Sequence, residues 1–254
     1  RFSMIRNIAS TVLLSFAIAQ PAAAELIGQS FDYEVGGTTF EGYIARNTDL
    51  PQTKGTVLIV HDWDGLTGYE EQRADMLAAL GYTAVAIDVY GKDNRPTSMD
   101  ENRARSGELY ADRDLFRARL AGSLEAAQGL EGVGDAIILM GYCFGGAATL
   151  EAARAGMDID GFVSFHGGLG TPEGQDYSMA KAPILLLHGT ADPVSGPADL
   201  AMVVGEMLEA GVEHDAQLYG GARHSFSVWG SRDYDLAADQ GSWSAFKGFL
   251  DEQL

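Results

Sequence analysis

Short runs of apolar and β-branched residues alternate with helical stretches along most of this 254-residue chain. The runs predict strands at residues 56–61, 83–89, 136–140, 161–165, 183–188 and 214–219. The stretches that follow them predict helices at residues 69–80, at 145–156, at 197–210, at 233–250 and beyond Gly107. Parallel strands need crossover connections, and helices then cover both faces of the sheet. The alternation therefore predicts an α/β protein with one mostly parallel sheet between helices.

A β-hairpin is predicted ahead of this alternation. Residues 31–35 and 39–45 have strand character and flank Gly36-Gly37, a pair that suits a tight hairpin turn. No repeat, low-complexity segment or linker divides the rest of the chain. We therefore expect residues 25–254 to form a single domain.

The first 24 residues have a different composition from the rest. A short positive segment with Arg6 precedes an apolar stretch at residues 8–19, and small residues follow at 21–24. This order is typical of a secretory signal peptide, and the apolar stretch is too short to span a bilayer. We expect cleavage before Glu25 and export of the chain to the periplasm, with no membrane anchor.

The charge of the chain restricts its partners. The formal net charge is −19, and the acidic residues are scattered along the sequence. Such a surface repels nucleic acid and anionic membranes. We therefore expect a small-molecule substrate, no bound nucleic acid, and a monomer or weak dimer.

The only cysteine, Cys143, lies in the segment ILMGYCFGGAA at residues 138–148, between Gly141 and Gly145. The spacing has the form of G-x-S-x-G, the strained strand-to-helix turn that exposes a nucleophile above a sheet, with sulfur in place of oxygen. A helix N-terminus also favours a thiolate, so we expect a lowered thiol pKa. A structural cysteine beside a tight turn is the alternative.

An acid and a histidine follow in the order that α/β-hydrolases use. Asp192 lies just beyond the strand at residues 183–188, and His224 lies in the loop after the strand at 214–219. All three side chains follow strands whose carboxyl ends meet at one sheet edge. A turn-forming aspartate and a surface histidine are the alternatives when each residue is considered singly.

The segments VLIVHDWDGL, GYTAVAIDVYG, MGYCFGG, HGTADPV and HSF together resemble the dienelactone hydrolase family, over about residues 28–252. The resemblance implies an α/β-hydrolase fold and hydrolysis of esters or lactones without a cofactor. It implies that Cys143 is the nucleophile, His224 the general base and then acid, and Asp192 the residue that orients His224. It also implies that the backbone N–H groups of Phe144 and Trp63 form the oxyanion hole.

Two further roles follow from the resemblance. Asp62 occupies the position of an acidic residue that holds the thiol at rest until substrate arrives, although the well-known member has the longer glutamate. Lys92 occupies the position of a basic residue that binds a substrate carboxylate. A second family arginine is replaced by Val228, for which Arg223 or Arg232 could substitute.

Other functions are compatible with the same residues. A thioesterase or another acyl hydrolase could use this scaffold, and the chain could instead be a non-catalytic binding protein or a redox-sensing thiol protein. His61, Asp62 and Asp64 suggest a metal site, but strand alternation turns His61 away from both acids and no metal is expected. His166 and His188 end predicted strands and could either line the pocket or form local hydrogen bonds.

Overall fold

The computed structural model describes residues 25–254, and the predicted signal peptide lies outside the described residues. The strands are β1 (Leu26–Val35), β2 (Thr38–Asn47), β3 (Thr56–Val60), β4 (Thr83–Ile87), β5 (Ile137–Tyr142), β6 (Gly161–Phe165), β7 (Ile184–Gly189) and β8 (His214–Tyr219). The helices are α1 (Gly68–Ala79), α2 (Met99–Ala111), α3 (Arg113–Gln128), α4 (Phe144–Arg154), α5 (Pro197–Ala210) and α6 (Leu236–Gln253), and a 3₁₀ turn covers Lys92–Asn94.

The strands form one sheet in the order β1-β2-β4-β3-β5-β6-β7-β8. β1 pairs antiparallel with β2, and β2 pairs antiparallel with β4, whereas every pair from β4 to β8 is parallel. This arrangement confirms the predicted mostly parallel sheet with its N-terminal hairpin. The hairpin is longer than predicted, because pairing continues from the glycine turn back to Leu26 and Asn47.

Alternate residues of the central strands supply two separate cores. In β3, Leu58 and Val60 face the core that α3, α4 and α5 cover, whereas Val57 and Ile59 face the core under α1 and α6. All five residues of β3 are buried, as expected for a strand that is covered on both faces. The carboxyl ends of the parallel strands meet at one edge of the sheet, which is where α/β proteins typically carry their binding sites.

The helical region before β5 differs from the sequence-based expectation. A helix was expected to begin after Gly107, but Gly107 lies inside α2, where no atom stands within 4 Å of the position of an added Cβ. The break between α2 and α3 falls instead at Asp112, whose carboxylate accepts a hydrogen bond from Leu115 N and caps α3. The capping side chain sets this boundary, and the glycine does not.

A buried carboxylate fastens α3 to α4. Glu151 of α4 is fully buried and pairs with Arg117 at 2.6 Å, Arg113 at 3.0 Å and Arg154 at 3.0 Å. Burial alone would raise the pKa of the Glu151 carboxyl, but the hydrogen bond from Arg117 and the charges of the arginines outweigh burial and lower it. The cluster holds α4, the helix that follows Cys143, against its neighbours.

We predict that Glu151→Gln lowers the free energy of unfolding at neutral pH by about 3 kcal/mol, because it leaves a buried arginine without its counter-charge. The folded-state pKa of Glu151 is lowered, so its contribution to stability is present above the unfolded pKa and disappears as the pH falls through the folded pKa. Urea denaturation of both proteins at about pH 7 and about pH 3 should therefore give a smaller difference at the lower pH.

The control is Glu108→Gln, which removes an exposed pair with Arg105. This change should alter the free energy of unfolding by less than about 1 kcal/mol. Equal stabilities of wild type and Glu151→Gln at neutral pH would contradict the assigned role of the cluster.

Candidate active site

The turn between β5 and α4 places Cys143 in a strained backbone conformation, with φ 52° and ψ −109°. The turn requires glycine on both sides. A Cβ at Gly141 would lie 2.2 Å from the carbonyl of Gly145, and a Cβ at Gly145 would lie 2.2 Å from the oxygen of Val60. The backbones of β5, α4 and β3 thus nearly touch, and the cysteine side chain is directed out of the sheet edge.

Cys143, His224 and Asp192 are brought together at this edge. His224 Nε2 lies 2.9 Å from Cys143 Sγ, and His224 Nδ1 lies 2.8 Å from Asp192 Oδ2. Both distances are within hydrogen-bond range, so the sulfur, imidazole and carboxylate form a continuous chain. The three residues come from the loops after β5, β8 and β7, respectively.

The Asp192 carboxylate is fixed by its own loop. Its Oδ1 accepts hydrogen bonds from Val194 N at 2.7 Å and Ser195 N at 3.3 Å, which leaves Oδ2 for His224. Burial alone would raise the pKa of Asp192, but the hydrogen bond from His224 and its charge outweigh burial and lower it. The carboxylate therefore stays ionised and holds the Nδ1–H tautomer of His224.

The thiol itself differs from expectation. The pKa of Cys143 is raised well above its ordinary value, first by burial and then by the negative charge of the nearby Asp62 carboxylate. The backbone N–H of Phe144 has the opposite effect, as expected at a helix N-terminus, but it is outweighed. The expected lowered pKa was therefore wrong for this state, because the sequence pattern does not reveal burial or the neighbouring carboxyl.

The Asp62 carboxylate lies beside the thiol, whereas the hydrogen bond of Sγ is with His224 Nε2. Burial and the charge of Asp64 raise the pKa of Asp62 to about 6, although the backbone N–H of Trp63, the thiol and the charge of His224 act in the opposite direction. Asp62 Oδ1 also accepts a hydrogen bond from the backbone N of Trp63 at 2.5 Å. One of the two N–H groups expected in the oxyanion hole is therefore occupied by the Asp62 carboxylate.

A cavity of about 390 Å³ lies over Cys143 and His224. Its wall is mostly apolar, and the lining residues are Trp63, Ser106, Tyr110, Cys143, Phe144, Pro193, Val194, His224, Ser225 and Asp233. Such a mixture of apolar surface with a few polar groups is typical of small-molecule sites. No lysine or arginine is among the lining residues of the described chain.

Lys92 does not line this cavity. Its ammonium pairs with Asp32 at 2.7 Å and with Glu41 at 3.0 Å on the hairpin side of the sheet. Arg223 and Arg232, which could replace the family arginine at Val228, both pair with Asp233 Oδ1 at 3.2 Å. The positive groups near the cavity are thus already engaged by carboxylates.

His61 has no free ring nitrogen. Its Nε2 accepts a hydrogen bond from Val89 N at 3.2 Å, so the ring N–H lies on Nδ1 and faces Asp62 O at 2.6 Å. Within residues 25–254, no group of three or more His, Cys, Asp or Glu side chains is arranged to hold a metal ion. None of the helices in the same range is long and apolar enough to cross a membrane.

Ser106 and Tyr110 of α2 line the cavity, although no sequence motif distinguishes them. They lie four residues apart, so they share one face of the helix. Their sequence signal is weak, because the buried positions of α2 are Asn102, Ser106 and Leu109 and form no apolar stripe. That signal can be interpreted only when the position of α2 over the sheet edge is known.

A mostly parallel sheet with a nucleophile turn after β5 and an acid and a histidine at neighbouring strand ends defines the α/β-hydrolase fold. Residues 40–254 match the family model described as the dienelactone hydrolase family. The chain therefore belongs to this family.

Curated relatives and solved structures that are similar to this chain agree with the family assignment. The chain is 26% identical to "Probable 2-oxo-3-(5-oxofuran-2-ylidene)propanoate lactonase" from Bradyrhizobium sp, over 87% of this chain and 93% of that relative. It is also 26% identical to a carboxymethylenebutenolidase from Pseudomonas putida, over 83% and 88% of the two chains. The dienelactone hydrolase-like promiscuous phosphotriesterase P91 from metagenomic libraries superposes with a TM-score of 0.84 at 28% identity, over 91% of this chain and 99% of P91.

We predict that Gly145→Ala destabilises the fold by about 3 kcal/mol, because the added methyl group meets backbone atoms that cannot rotate away. Differential scanning calorimetry measures the loss of stability. The rate of Cys143 alkylation measures the disruption of the turn. The control is Gly205→Ala in α5, where no atom lies within 4 Å of the new Cβ. A Gly145→Ala protein with unchanged stability would contradict the close approach described here.

Proposed function

We propose that the protein hydrolyses esters or lactones through Cys143, His224 and Asp192, with no cofactor. The observation that supports this proposal is the chain of contacts from sulfur to imidazole at 2.9 Å and from imidazole to carboxylate at 2.8 Å. The cavity above Cys143 leaves room for a small substrate beside the sulfur. Membership of the dienelactone hydrolase family supports the same reaction class.

In the proposed reaction, His224 takes the thiol proton while Cys143 Sγ attacks the substrate carbonyl carbon. The tetrahedral oxyanion is held by the N–H groups of Phe144 and Trp63, and each such donor typically contributes about 2.7–4 kcal/mol. The C–O bond then breaks, the alcohol leaves with the proton from His224, and a thioester remains. A water molecule deprotonated by His224 attacks the thioester, and the acid is released.

Asp62 is proposed to keep the site at rest until substrate binds. Its carboxylate lies beside the thiol and occupies Trp63 N–H, so it disfavours the thiolate and blocks one of the two oxyanion-hole donors. A substrate carbonyl that takes over Trp63 N–H would displace this carboxylate. Loss of the Asp62 contact would then lower the pKa of Cys143 at the moment when the nucleophile is needed.

The charges around the cavity favour an uncharged substrate. Asp233 lines the cavity with its charge paired to Arg223 and Arg232, Asp62 lies beside the sulfur, and within residues 25–254 no lysine or arginine lines the cavity. A substrate carboxylate would lose water in this site without gaining a counter-ion, which is unfavourable. Neutral esters, lactones and thioesters avoid this cost. Phosphotriesters, for which the phosphotriesterase P91 is named, are also uncharged and avoid it. A substrate carboxylate at Lys92 is therefore not part of the proposal.

Export and assembly remain predictions from the sequence. The proposed periplasmic location depends on residues 1–24, which lie outside the described structure. A monomer or weak dimer is still expected.

We predict that Cys143→Ala, His224→Ala and Asp192→Asn each lower kcat for neutral nitrophenyl esters, with losses of about 10⁴-fold for the first two. Iodoacetamide should abolish wild-type hydrolysis, because it alkylates the only thiol of the chain. Melting temperatures serve as controls for folding. Hydrolysis that persists in Cys143→Ala would rule out the thiol mechanism.

The same assay distinguishes the proposed hydrolase from two alternative functions, a binding protein and a redox sensor. A protein that hydrolyses no ester but binds a ligand in thermal shift assays would be a binding protein. Reversible oxidation of Cys143 without hydrolysis would indicate a redox sensor.

We predict that kcat/KM for 4-nitrophenyl butyrate exceeds that for 4-nitrophenyl succinate by at least about tenfold, because the two esters are similar in size and differ in a carboxylate. Asp233→Asn removes one negative charge and releases Arg223 and Arg232, so it should raise kcat/KM for the succinate more than for the butyrate. Equal rates for both esters in the wild type would show that the site tolerates a carboxylate.

A further inference from the structure

Three residues other than glycine have positive φ within residues 25–254, and all of them adjoin the active site. They are Cys143 at 52°, His166 at 40° and Ser225, next to His224, at 61°. Such conformations are unfavourable for residues with a side chain and persist only where their surroundings hold them. Cys143 and His224 belong to the proposed triad, whereas His166 has no role in the proposed reaction.

His166 connects the nucleophile turn to the loop that carries His224. The backbone N–H of Cys143 is shared between Phe165 O at 3.0 Å and His166 Nδ1 at 3.2 Å, and His166 Nε2 lies 2.8 Å from Ser227 Oγ. Because Nδ1 accepts, the ring proton lies on Nε2 and is donated to Ser227. The edge of the ring also packs against His224, with 5.5 Å between ring centroids.

Ser227 is itself held from the opposite side. Its carbonyl oxygen accepts hydrogen bonds from Arg73 Nη2 and from Tyr69 OH, both at 3.0 Å. The Arg73 guanidinium lies 4.2 Å from the ring centre of Trp229 and binds Asp239 at 2.5 Å. The backbone at Ser227 is therefore held by hydrogen bonds from α1, and His166 links Ser227 to Cys143.

We infer that His166 is a positioning residue, which fixes the Cys143 turn relative to the histidine loop (residues 220–235) and so sets the distance from sulfur to imidazole. This inference rests on the proposed function, because that distance matters only if His224 accepts the proton of Cys143. A displacement of about 1 Å at such a contact reduces turnover by about 100-fold.

The surroundings keep His166 in the form that this role requires. Its pKa is well below the ordinary value, first because of burial and then because of the charges of His224, His188 and Arg73. The ring therefore stays neutral, and Nδ1 remains an acceptor for Cys143 N. Protonation would replace the acceptor with a second donor facing a backbone N–H.

The experiment compares His166→Leu with His166→Asn in the full chain. Leucine removes both links, whereas the Asn carbonyl oxygen can replace Nδ1 as acceptor, and Asn tolerates positive φ. We expect His166→Leu to lower kcat for 4-nitrophenyl butyrate by about 100-fold with KM within about twofold, and His166→Asn to recover about tenfold of this loss. The control is His214→Leu, whose ring contacts Val212 O at the start of β8, and its kcat should stay within about twofold of wild type.

A double-mutant cycle tests the connection itself. Ser227→Ala should lower kcat by about tenfold in the wild type but by less than about twofold in His166→Asn, where the link to Ser227 is already lost. Additive losses would overturn the proposal, and so would a folded His166→Leu protein with wild-type kcat. If His166→Leu does not fold, as judged by its melting curve, the cycle alone decides.

Alkylation by iodoacetamide separates failure of this inference from failure of the proposed function. At about pH 7, His166→Leu and Ser227→Ala should react more slowly at Cys143 than the His214→Leu control, by about tenfold, because alkylation requires loss of the thiol proton and a more distant His224 accepts it less readily. This measurement requires no substrate. A wild type that hydrolyses no ester but shows the slower alkylation in the variants would contradict the hydrolase and retain the positioning role. Equal alkylation rates would overturn the positioning role.

Discussion

The active site depends on the close approach of three backbone segments at the turn after β5. Gly141, Gly145 and the carbonyl of Val60 leave no space for a single additional carbon, and this contact directs Cys143 outward with positive φ. The parallel sheet makes the arrangement possible, because β3 and β5 are adjacent and end at the same level. The glycines therefore have a positional role, and the sulfur takes its direction from the packing below it.

The chemistry at this turn is a balance between burial and charge. A helix N-terminus favours the thiolate, but burial and the Asp62 carboxyl outweigh this effect and keep the thiol protonated. A protonated thiol is a poor nucleophile toward alkylating agents and oxidants. In the proposed mechanism, the carboxylate that occupies Trp63 N–H also slows side reactions of the resting thiol, and substrate binding removes both restraints together.

The sequence was sufficient for the architecture and for the residues that meet at the sheet edge. Strand periodicity predicted the sheet, and the positions of Cys143, Asp192 and His224 after three strands of one parallel sheet predicted their meeting place. The pattern could not predict the thiol pKa, which depends on the three-dimensional approach of Asp62. It also could not indicate the pairing of Lys92 with the hairpin or the position of Tyr110 over the cavity, because these contacts join segments that are distant in sequence.

The ion pair between Arg73 of α1 and Asp239 of α6 allows sequence changes far from the cavity to affect the residues around it. The two helices lie on the same face of the sheet, and Arg73 also holds the carbonyl of Ser227. Substitutions in the C-terminal helix can therefore shift the histidine loop, although α6 itself does not line the cavity. Directed evolution of turnover in this scaffold has a remote target on the C-terminal helix, where sequence changes would tune the loop without altering the groups that contact substrate.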